Sequence, residues 1–263
     1  MLLTDEQKTT AYLQRIGITV PPNHNADADL LQKVYRAQVT TVPYENINYL
    51  LWDESDLDQD VLFREIVLER RGGVCYEVTI LFGWLLQRLG FGVRMILADH
   101  YRIHEENSER KHMGLIVTDH TGKRWWVDPG DSFSQTKSPF ALEEDVIQTI
   151  DSEQYRFERL PDGKWMEWTV VKGQWIRNMA FYEKDATIAD ASRAKRAVID
   201  PDNPFMSIAM FGIRTPEGML FLKENTLHKT ENGVRTAETL AESELSGVYA
   251  LFGLKYPYTL YRH

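Results

Sequence analysis

Residues 71–90 read Arg-Gly-Gly-Val-Cys-Tyr-Glu-Val-Thr-Ile-Leu-Phe-Gly-Trp-Leu-Leu-Gln-Arg-Leu-Gly and contain the clearest helical pattern of the chain together with its single cysteine. The apolar residues after Cys75 recur at helical spacing: Val78, Leu81, Phe82, Leu85, Leu86 and Leu89. Gly90 follows where a left-handed C-terminal cap is expected. The pattern predicts an amphipathic helix that begins near Cys75 and ends before Gly90.

Cys75 falls in the first turn of this predicted helix. Backbone N–H groups without a partner and the helix dipole favour an anion there, so the thiolate, which is the nucleophilic form, is stabilised. Gly72 and Gly73 allow another backbone to approach closely just before the helix. A lone cysteine is often only a small buried apolar residue, but the Arg-Gly-Gly sequence and the helix start favour a nucleophile.

A histidine and an aspartate are expected to meet at the end of one β-hairpin. His112 precedes an apolar run, and Asp128 ends the run Trp-Trp-Val at 125–127. The turn-forming residues 119–123 lie between the two runs. If the hairpin folds near residue 120, His112 and Asp128 become cross-strand neighbours within a residue or two of register, close enough for an imidazole–carboxylate hydrogen bond. Such a pair is the usual activator of a thiol nucleophile.

The composition excludes several other classes of protein. The 263 residues are 43% hydrophobic and 26% charged with a net charge of −9, which disfavours nucleic-acid binding. A single cysteine allows neither a disulfide framework nor a cysteine-based metal cluster, and His100, His104 and His112 lack the carboxylate spacing of a metal site. No apolar run is long enough for a membrane span, and the charged N-terminus is unlike a signal peptide. We expect a cytoplasmic protein, monomeric or dimeric, without a metal.

The order of elements predicts an α+β fold. The first ninety residues have mostly helical patterns, whereas alternation begins at Val93 and strands are expected at 113–118, 124–127 and 165–171. Residues 183–198 favour a helix, and Pro201 and Pro204 mark a boundary. Residues 205–263 combine a strand at 219–222 with a helix at 240–251. We expect four regions: a helical region at 1–90, a β region at 91–182, a connecting helix and linker at 183–204, and an α/β region at 205–263.

Three segments resemble the arylamine N-acetyltransferase family. They are Arg71-Gly72-Gly73-Val74-Cys75-Tyr76-Glu77, His112-Met113-Gly114-Leu115-Ile116-Val117 and Trp126-Val127-Asp128-Pro129-Gly130, and Val42-Pro43-Tyr44-Glu45-Asn46-Ile47 adds an upstream signature. The resemblance implies a helical bundle, a β-barrel and an α/β lid with a papain-like triad of Cys75, His112 and Asp128. It also implies acetyl-CoA as the acyl-donor cosubstrate, a small-molecule amine as acceptor, and a ping-pong reaction through a Cys75 thioester.

Further roles follow from the same resemblance. Arg71 and Glu45 are expected to form a supporting ion pair, and Thr79 occupies the place of a family asparagine. Tyr44, Asp131 and Phe133 are assigned to the substrate pocket. Residues 129–132 read Pro-Gly-Asp-Ser where the family has Val-Gly-Phe-Gly, so the pocket should be more polar. We therefore expect flat, apolar arylamines to be poorer acceptors than hydrazines or cationic amines.

Three other functions are compatible with the same residues. An amide synthase would use the same triad with another acyl thioester. In a cysteine hydrolase or transglutaminase-like enzyme, water or a lysine would intercept the acyl-enzyme. A catalytically silent binding module would keep the fold without the reaction.

Overall fold

The computed structural model describes residues 3–50, 57–101, 111–131, 136–150, 153–198 and 208–254. The N-terminal part is helical, with α1 (Asp5–Arg15), α2 (Ala28–Val39), α3 (Ile47–Leu50), α4 (Gln59–Phe63), a π-helical turn (Arg64–Leu68) and α5 (Cys75–Arg88). A short strand, β1 (Tyr44–Glu45), lies between α2 and α3. Thr4 and Gln7 form a capping box at the start of α1.

Helix α5 begins and ends where the residue spacing predicts. Its first residue is Cys75, Leu89 is its C-cap, and Gly90 adopts the left-handed conformation with φ +90°. The apolar residues predicted to form one stripe are buried, and they pack in a core shared with α1, α2 and α4. The nucleophile candidate is therefore fixed by the largest core of the molecule.

Eight strands form the second part of the molecule as a nearly closed barrel. They are β2 (Gly92–His100), β3 (Lys111–Thr118), β4 (Arg124–Val127), β5 (Phe140–Ala141), β6 (Gln148–Ile150), β7 (Glu153–Arg159), β8 (Trp165–Val171) and β9 (Gln174–Asp185). Their order in the sheet is β5-β4-β3-β2-β9-β8-β7-β6. The Gln148 side-chain amide accepts a hydrogen bond from the Ala141 N–H at 2.7 Å and donates one to the Ala141 carbonyl at 2.8 Å. These two hydrogen bonds link the edge strands β5 and β6.

The β3–β4 hairpin differs in register from the simplest fold about residue 120. Leu115 pairs with Val127 and Thr118 with Arg124, so the hairpin is centred on residue 121. Extending this register places Asp128 across from Gly114, which is two residues along β3 from His112. Since side chains alternate between faces, a shift of two positions keeps His112 and Asp128 on the same face.

The two faces of the barrel sheet pack against different cores. Ile116, Trp126 and Phe181 belong to the barrel interior, where the Trp126 and Phe181 rings stack at 4.0 Å. Met113 and Leu115, on the opposite face of β3, pack in the helical core instead. His112 shares the parity of Ile116 and therefore lies on the interior face, at the end of the barrel nearest α5.

The C-terminal part is a five-stranded sheet with a helix on one side. It consists of β10 (Met210–Arg214), β11 (Gly218–Lys223), β12 (Thr226–Glu231), β13 (Val234–Thr239) and α7 (Glu242–Leu251). Strand β1 joins the sheet beside β10, with Tyr44 opposite Gly212, so the helical region contributes one strand to it. The expected order of helical, β and mixed regions is confirmed.

The helix between the barrel and this sheet is shorter than the sequence pattern indicates. Strand β9 continues to Asp185, and the helix α6 spans Ile188–Val198, so residues 183–185 are extended rather than helical. Pairing with β2 explains the difference, because Ile96 opposes Asp185. Pro201, Pro204 and Phe205 lie outside the described residues. Within the described ranges, no helix is long and apolar enough to cross a membrane.

Candidate active site

Cys75 occupies the first position of α5, and the residues around it hold the helix start in place. Glu77 accepts a hydrogen bond of 2.9 Å from the Val74 N–H, which is the carboxylate half of an N-terminal capping box. Tyr49 donates to the second carboxylate oxygen of Glu77 at 2.6 Å. Lys195 of α6 lies 3.6 Å from that same oxygen. The Glu77 carboxylate is thus buried among three different parts of the chain at the start of α5.

Gly72 is required by the close approach of the backbone that leads into strand β1, and Gly73 by the Glu77 side chain, which would lie 2.7 Å from an added Cβ. A Cβ on Gly72 would lie 2.1 Å from the Pro43 carbonyl oxygen, which no side chain tolerates. The Glu45 N–H donates to the Gly73 carbonyl at 3.1 Å. Only glycine therefore allows the backbone of β1 to support the loop that leads into the helix.

Arg71 and Glu45 form the ion pair expected from the sequence. The Arg71 guanidinium donates to one oxygen of Glu45 at 3.1 and 2.8 Å, and Glu45 is fully buried. Burial raises the pKa of Glu45, and the Arg71 charge and the Ile47 N–H oppose that rise. The pair anchors β1 to the loop before Cys75.

His112 and Asp128 meet with short, well-defined geometry. The His112 Nε2 lies 2.7 Å from the Asp128 Oδ2, and both side chains are buried. The Gly130 N–H donates to the other Asp128 oxygen at 3.1 Å, and the Tyr35 hydroxyl donates to the Asp128 carbonyl at 2.8 Å. With Nε2 committed to Asp128, the imidazole faces Cys75 through its remaining nitrogen, and the thiol is a hydrogen-bonding partner of His112.

This environment raises the pKa of His112 well above the ordinary value of histidine. Burial acts in the opposite direction and by itself would lower the pKa. The charges of Asp128 and Cys75 and the hydrogen bonds to both outweigh that effect. The arrangement therefore favours the protonated, imidazolium form of His112.

Two small contacts fix the distance between the nucleophile helix and the hairpin. Thr79, one turn after Cys75, donates to the Met113 carbonyl at 3.2 Å and so joins α5 to the strand that carries His112. A Cβ on Gly130 would lie 2.5 Å from the Cys75 Cα, so the segment after Asp128 packs directly on the first residue of the helix.

Asp131 and Tyr44, both assigned to the substrate pocket, lie in different places in the structure. Asp131 is buried and lines a small cavity in the barrel together with Tyr35, Trp126, Asp128, Thr136, Phe140 and Glu167. Tyr44 is buried on β1 and does not line this cavity; burial, followed by the nearby acidic groups, raises its pKa. Phe133 lies outside the described residues.

His100 is a site residue that the sequence reasoning did not select. It lies on the interior face at the end of β2, and its Nε2 is 3.4 Å from the Asp131 Oδ1. Its ring meets that of His112 edge to face, with centroids 6.0 Å apart. The shared parity of Ile96, Ala98 and His100 places these three residues on one face of β2, although alternation alone does not identify that face as the interior one.

The arrangement can activate a thiol and store one proton beside it. Nucleophile, base and orienting carboxylate follow the order required for covalent acyl transfer. Among the residues that the structure describes, no group of three or more histidine, cysteine or acidic side chains is placed to hold a metal ion.

Comparison with known proteins reveals close similarity over most of the chain. Residues 27–257 match the family described as N-acetyltransferase. Arylamine N-acetyltransferase 1 of Oryctolagus cuniculus is 28% identical over 246 residues, 84% of each protein. Proansamycin X synthase of Amycolatopsis mediterranei is 26% identical over 241 residues, 89% of this chain and 91% of that protein. A solved Mycobacterium smegmatis N-arylamine acetyltransferase superposes with a TM-score of 0.86 at 26% identity, covering 93% of this chain and 92% of that one.

Proposed function

The chain belongs to the N-acetyltransferase family, and from that premise we propose that it transfers an acetyl group from acetyl-CoA through Cys75 to the nitrogen of an arylamine, hydrazine or related amine. It is an enzyme of the acyltransferase class. The observation that carries the assignment of residues is the contact of one buried imidazole, His112, with both Asp128 and the Cys75 thiol.

The first half-reaction loads the thiol. The Cys75 thiolate attacks the carbonyl carbon of the donor thioester, and the bond between that carbon and the CoA sulfur breaks. His112, which holds a proton because its pKa is raised, gives this proton to the departing sulfur. Cys75 is then an acetyl thioester, and His112 is neutral.

The second half-reaction transfers the acetyl group from Cys75 to the acceptor amine. A neutral amine attacks the thioester carbon, one N–H proton passes to His112, and the carbon–sulfur bond breaks to release the Cys75 thiolate. The hydrogen bond to Asp128 fixes the tautomer of His112 and stabilises the imidazolium that forms. The proton count is the same at the end of the cycle as at its start.

The supporting residues hold the reacting groups in position. The Arg71–Glu45 pair and Thr79 hold the loop, the helix and the hairpin at fixed separations, which matters because small misplacements of reacting groups cost large factors in rate. Tyr44, Asp131 and Phe133 are proposed for the acceptor side of the site. The partners are a CoA thioester and a small amine, and we place the reaction in the cytoplasm, where a lone thiol stays reduced.

The proposal is tested by following CoA release and product formation with acetyl-CoA and an amine. We expect steady turnover that requires both substrates, and no turnover by Cys75→Ser. His228→Gln, on β12 of the C-terminal sheet, is the control that should behave like the native protein. CoA release at the same rate without any amine would instead indicate a hydrolase.

The similarity to a synthase supports one alternative, in which the same triad makes an amide from a different acyl thioester. A donor series with increasing acyl length separates the two. If acetyl-CoA loads Cys75 more slowly than longer thioesters by about 100-fold or more, a difference of ~2.7 kcal/mol in the barrier, the alternative is favoured.

A further inference from the structure

The end of the barrel beside Cys75 contains two imidazole–carboxylate pairs, and the reaction described above uses one of them. The second pair is His100 with Asp131, whose Nε2 and Oδ1 atoms are 3.4 Å apart. Both residues are buried, at 6% and 4% exposure. A pair of this kind, enclosed and adjacent to a nucleophile, is the arrangement that accepts and holds a proton.

The position of the second pair relates it directly to the reacting atoms. The His100 ring lies edge to face with the His112 ring, with an interplanar angle of 88°. Asp131 follows Gly130, whose Cα has no room for a Cβ because Cys75 packs against it. His100 therefore contacts the ring of His112, and Asp131 directly follows Gly130, whose backbone packs against Cys75.

Other ionisable groups surround the pair. Asp128, Glu167 and Tyr35 line the same cavity as Asp131. His112 contacts His100 from β3, Tyr44 of β1 interacts electrostatically with Asp131, and Arg214 of β10 interacts electrostatically with Tyr35. Among these groups, His100 is the imidazole outside the Cys75–His112–Asp128 triad, and imidazole is the side chain whose charge ordinarily changes near neutral pH.

The number of protons brought by the acceptor decides whether a second base is needed. A neutral arylamine loses one proton during transfer, and His112 accepts it. An aliphatic amine arrives largely as its conjugate acid at neutral pH, since aliphatic ammonium groups have pKa values of about 8 to 10. Such an acceptor must lose one proton before its nitrogen lone pair can attack and a second one during the transfer.

We propose that the His100–Asp131 pair accepts the first of these two protons and thereby extends the acceptor range to amines that are protonated at neutral pH. This inference rests on the proposed acetyl transfer. The N–H bond of the ammonium breaks, the proton passes to the His100 imidazole, and the Asp131 carboxylate balances the resulting charge. His112 then accepts the second proton as the nitrogen–carbon bond forms, and His100 returns its proton to solvent after the product leaves.

The experiment compares His100→Gln with the native enzyme on two acceptors with the same ring, aniline and benzylamine, from pH 6 to pH 9.5. Loading of Cys75 by acetyl-CoA is measured separately in each variant. We expect normal loading and less than about threefold change with aniline, but a loss of up to about 10²-fold in kcat/KM with benzylamine at neutral pH, which is roughly the ratio of its protonated to its neutral form. The loss should shrink as the pH rises, because more of the benzylamine then arrives neutral.

Two further variants distinguish a second base from a structural role. Asp131→Asn should reproduce the pH-dependent loss in a weaker form, and it serves as the test if His100→Gln does not fold. His228→Gln should change neither acceptor. An equal loss with both acceptors, a loss that does not vary with pH, or native turnover restricted to aniline would overturn the inference. Failure of acetyl-CoA to load Cys75 at all would instead contradict the proposed function.

Discussion

The two histidine–aspartate pairs at the end of the barrel have the same chemistry and different environments. In the first pair, His112 and Asp128 approach to 2.7 Å, and a backbone N–H and the Cys75 thiol complete the contacts. In the second pair, His100 and Asp131 are 3.4 Å apart. The first pair contacts the nucleophile and the second lies beside it, and we expect this difference in position to give the two pairs different roles.

The largest expected difference between the pairs concerns the amide analogues of the two carboxylates. Asp128→Asn should lower acetyl transfer to an arylamine by about 10³- to 10⁴-fold, because the imidazole loses both its tautomer control and its counter-charge. Asp131→Asn, on the acceptor side of the site, should change the loading of Cys75 by acetyl-CoA by less than about threefold. Single-turnover loading and steady-state turnover measure both effects. Equal losses in the two variants would show that the pairs do not differ in role.

A second prediction concerns the buried ion pair at the start of the nucleophile helix. Lys195 is 5% exposed and lies 3.6 Å from Glu77, two residues after Cys75. Lys195→Met should lower the free energy of unfolding by about 3–5 kcal/mol, because it leaves a buried carboxylate without this cation.

The control for this variant is Arg196→Met, which removes an exposed cation from the next position of α6 and should change stability by less than about 0.5 kcal/mol. Urea unfolding of the three proteins gives the comparison. Equal midpoints for the native protein and Lys195→Met would mean that α6 does not support the nucleophile helix.

A third prediction concerns the glycine between the two aspartates. Gly130→Ala places a methyl group 2.5 Å from the Cys75 Cα, so Asp128 and the helix must move apart. We expect transfer to fall by about 10²-fold. Gly247→Ala is the matched control, because that glycine lies in α7 with no atom within 4 Å of the added carbon, and it should stabilise the protein by about 0.5–1 kcal/mol. If both variants retain native rates, the proximity of Gly130 to Cys75 has no catalytic consequence.

The smallest expected effect is the pH dependence of stability from His112. Its pKa is raised in the folded protein, so the imidazolium stabilises the fold fully below the ordinary histidine pKa of about 6.5, and this stabilisation is lost as the pH rises through the raised value. The unfolding free energy of the native protein relative to His112→Gln should therefore decrease with pH. A relative stability that increases over this range would contradict the assigned charge state.

The sequence predicts the first pair more completely than the second for physical reasons. Helix α5 and the β3–β4 hairpin are local structures, so residue spacing and the turn at 119–123 determine them. The hairpin brings His112 and Asp128 together, whereas the packing of α5 on β3 brings Cys75 to them. The turn is strongly specified, since the Asp119 carboxylate accepts hydrogen bonds from the N–H groups of Thr121 and Lys123.

What the sequence does not predict depends on contacts between distant segments. Lys195 reaches Glu77 only because α6 packs across the start of α5, and no periodic pattern connects residues so far apart. His100 lies at the end of a strand whose two faces are both apolar, so alternation does not distinguish the interior face. The start of α6 is displaced by strand pairing at Asp185, which overrides the local helix preference of residues 183–187.

The most direct test of the central claim is the intact mass of the protein after mixing with acetyl-CoA in the absence of an amine. We predict an adduct of one acetyl group, located on Cys75, absent from Cys75→Ser, slow to form in His112→Gln, and lost within one turnover when an amine is added. A protein that remains unmodified by acetyl-CoA, or one that is acetylated equally in the Cys75→Ser variant, would contradict the account.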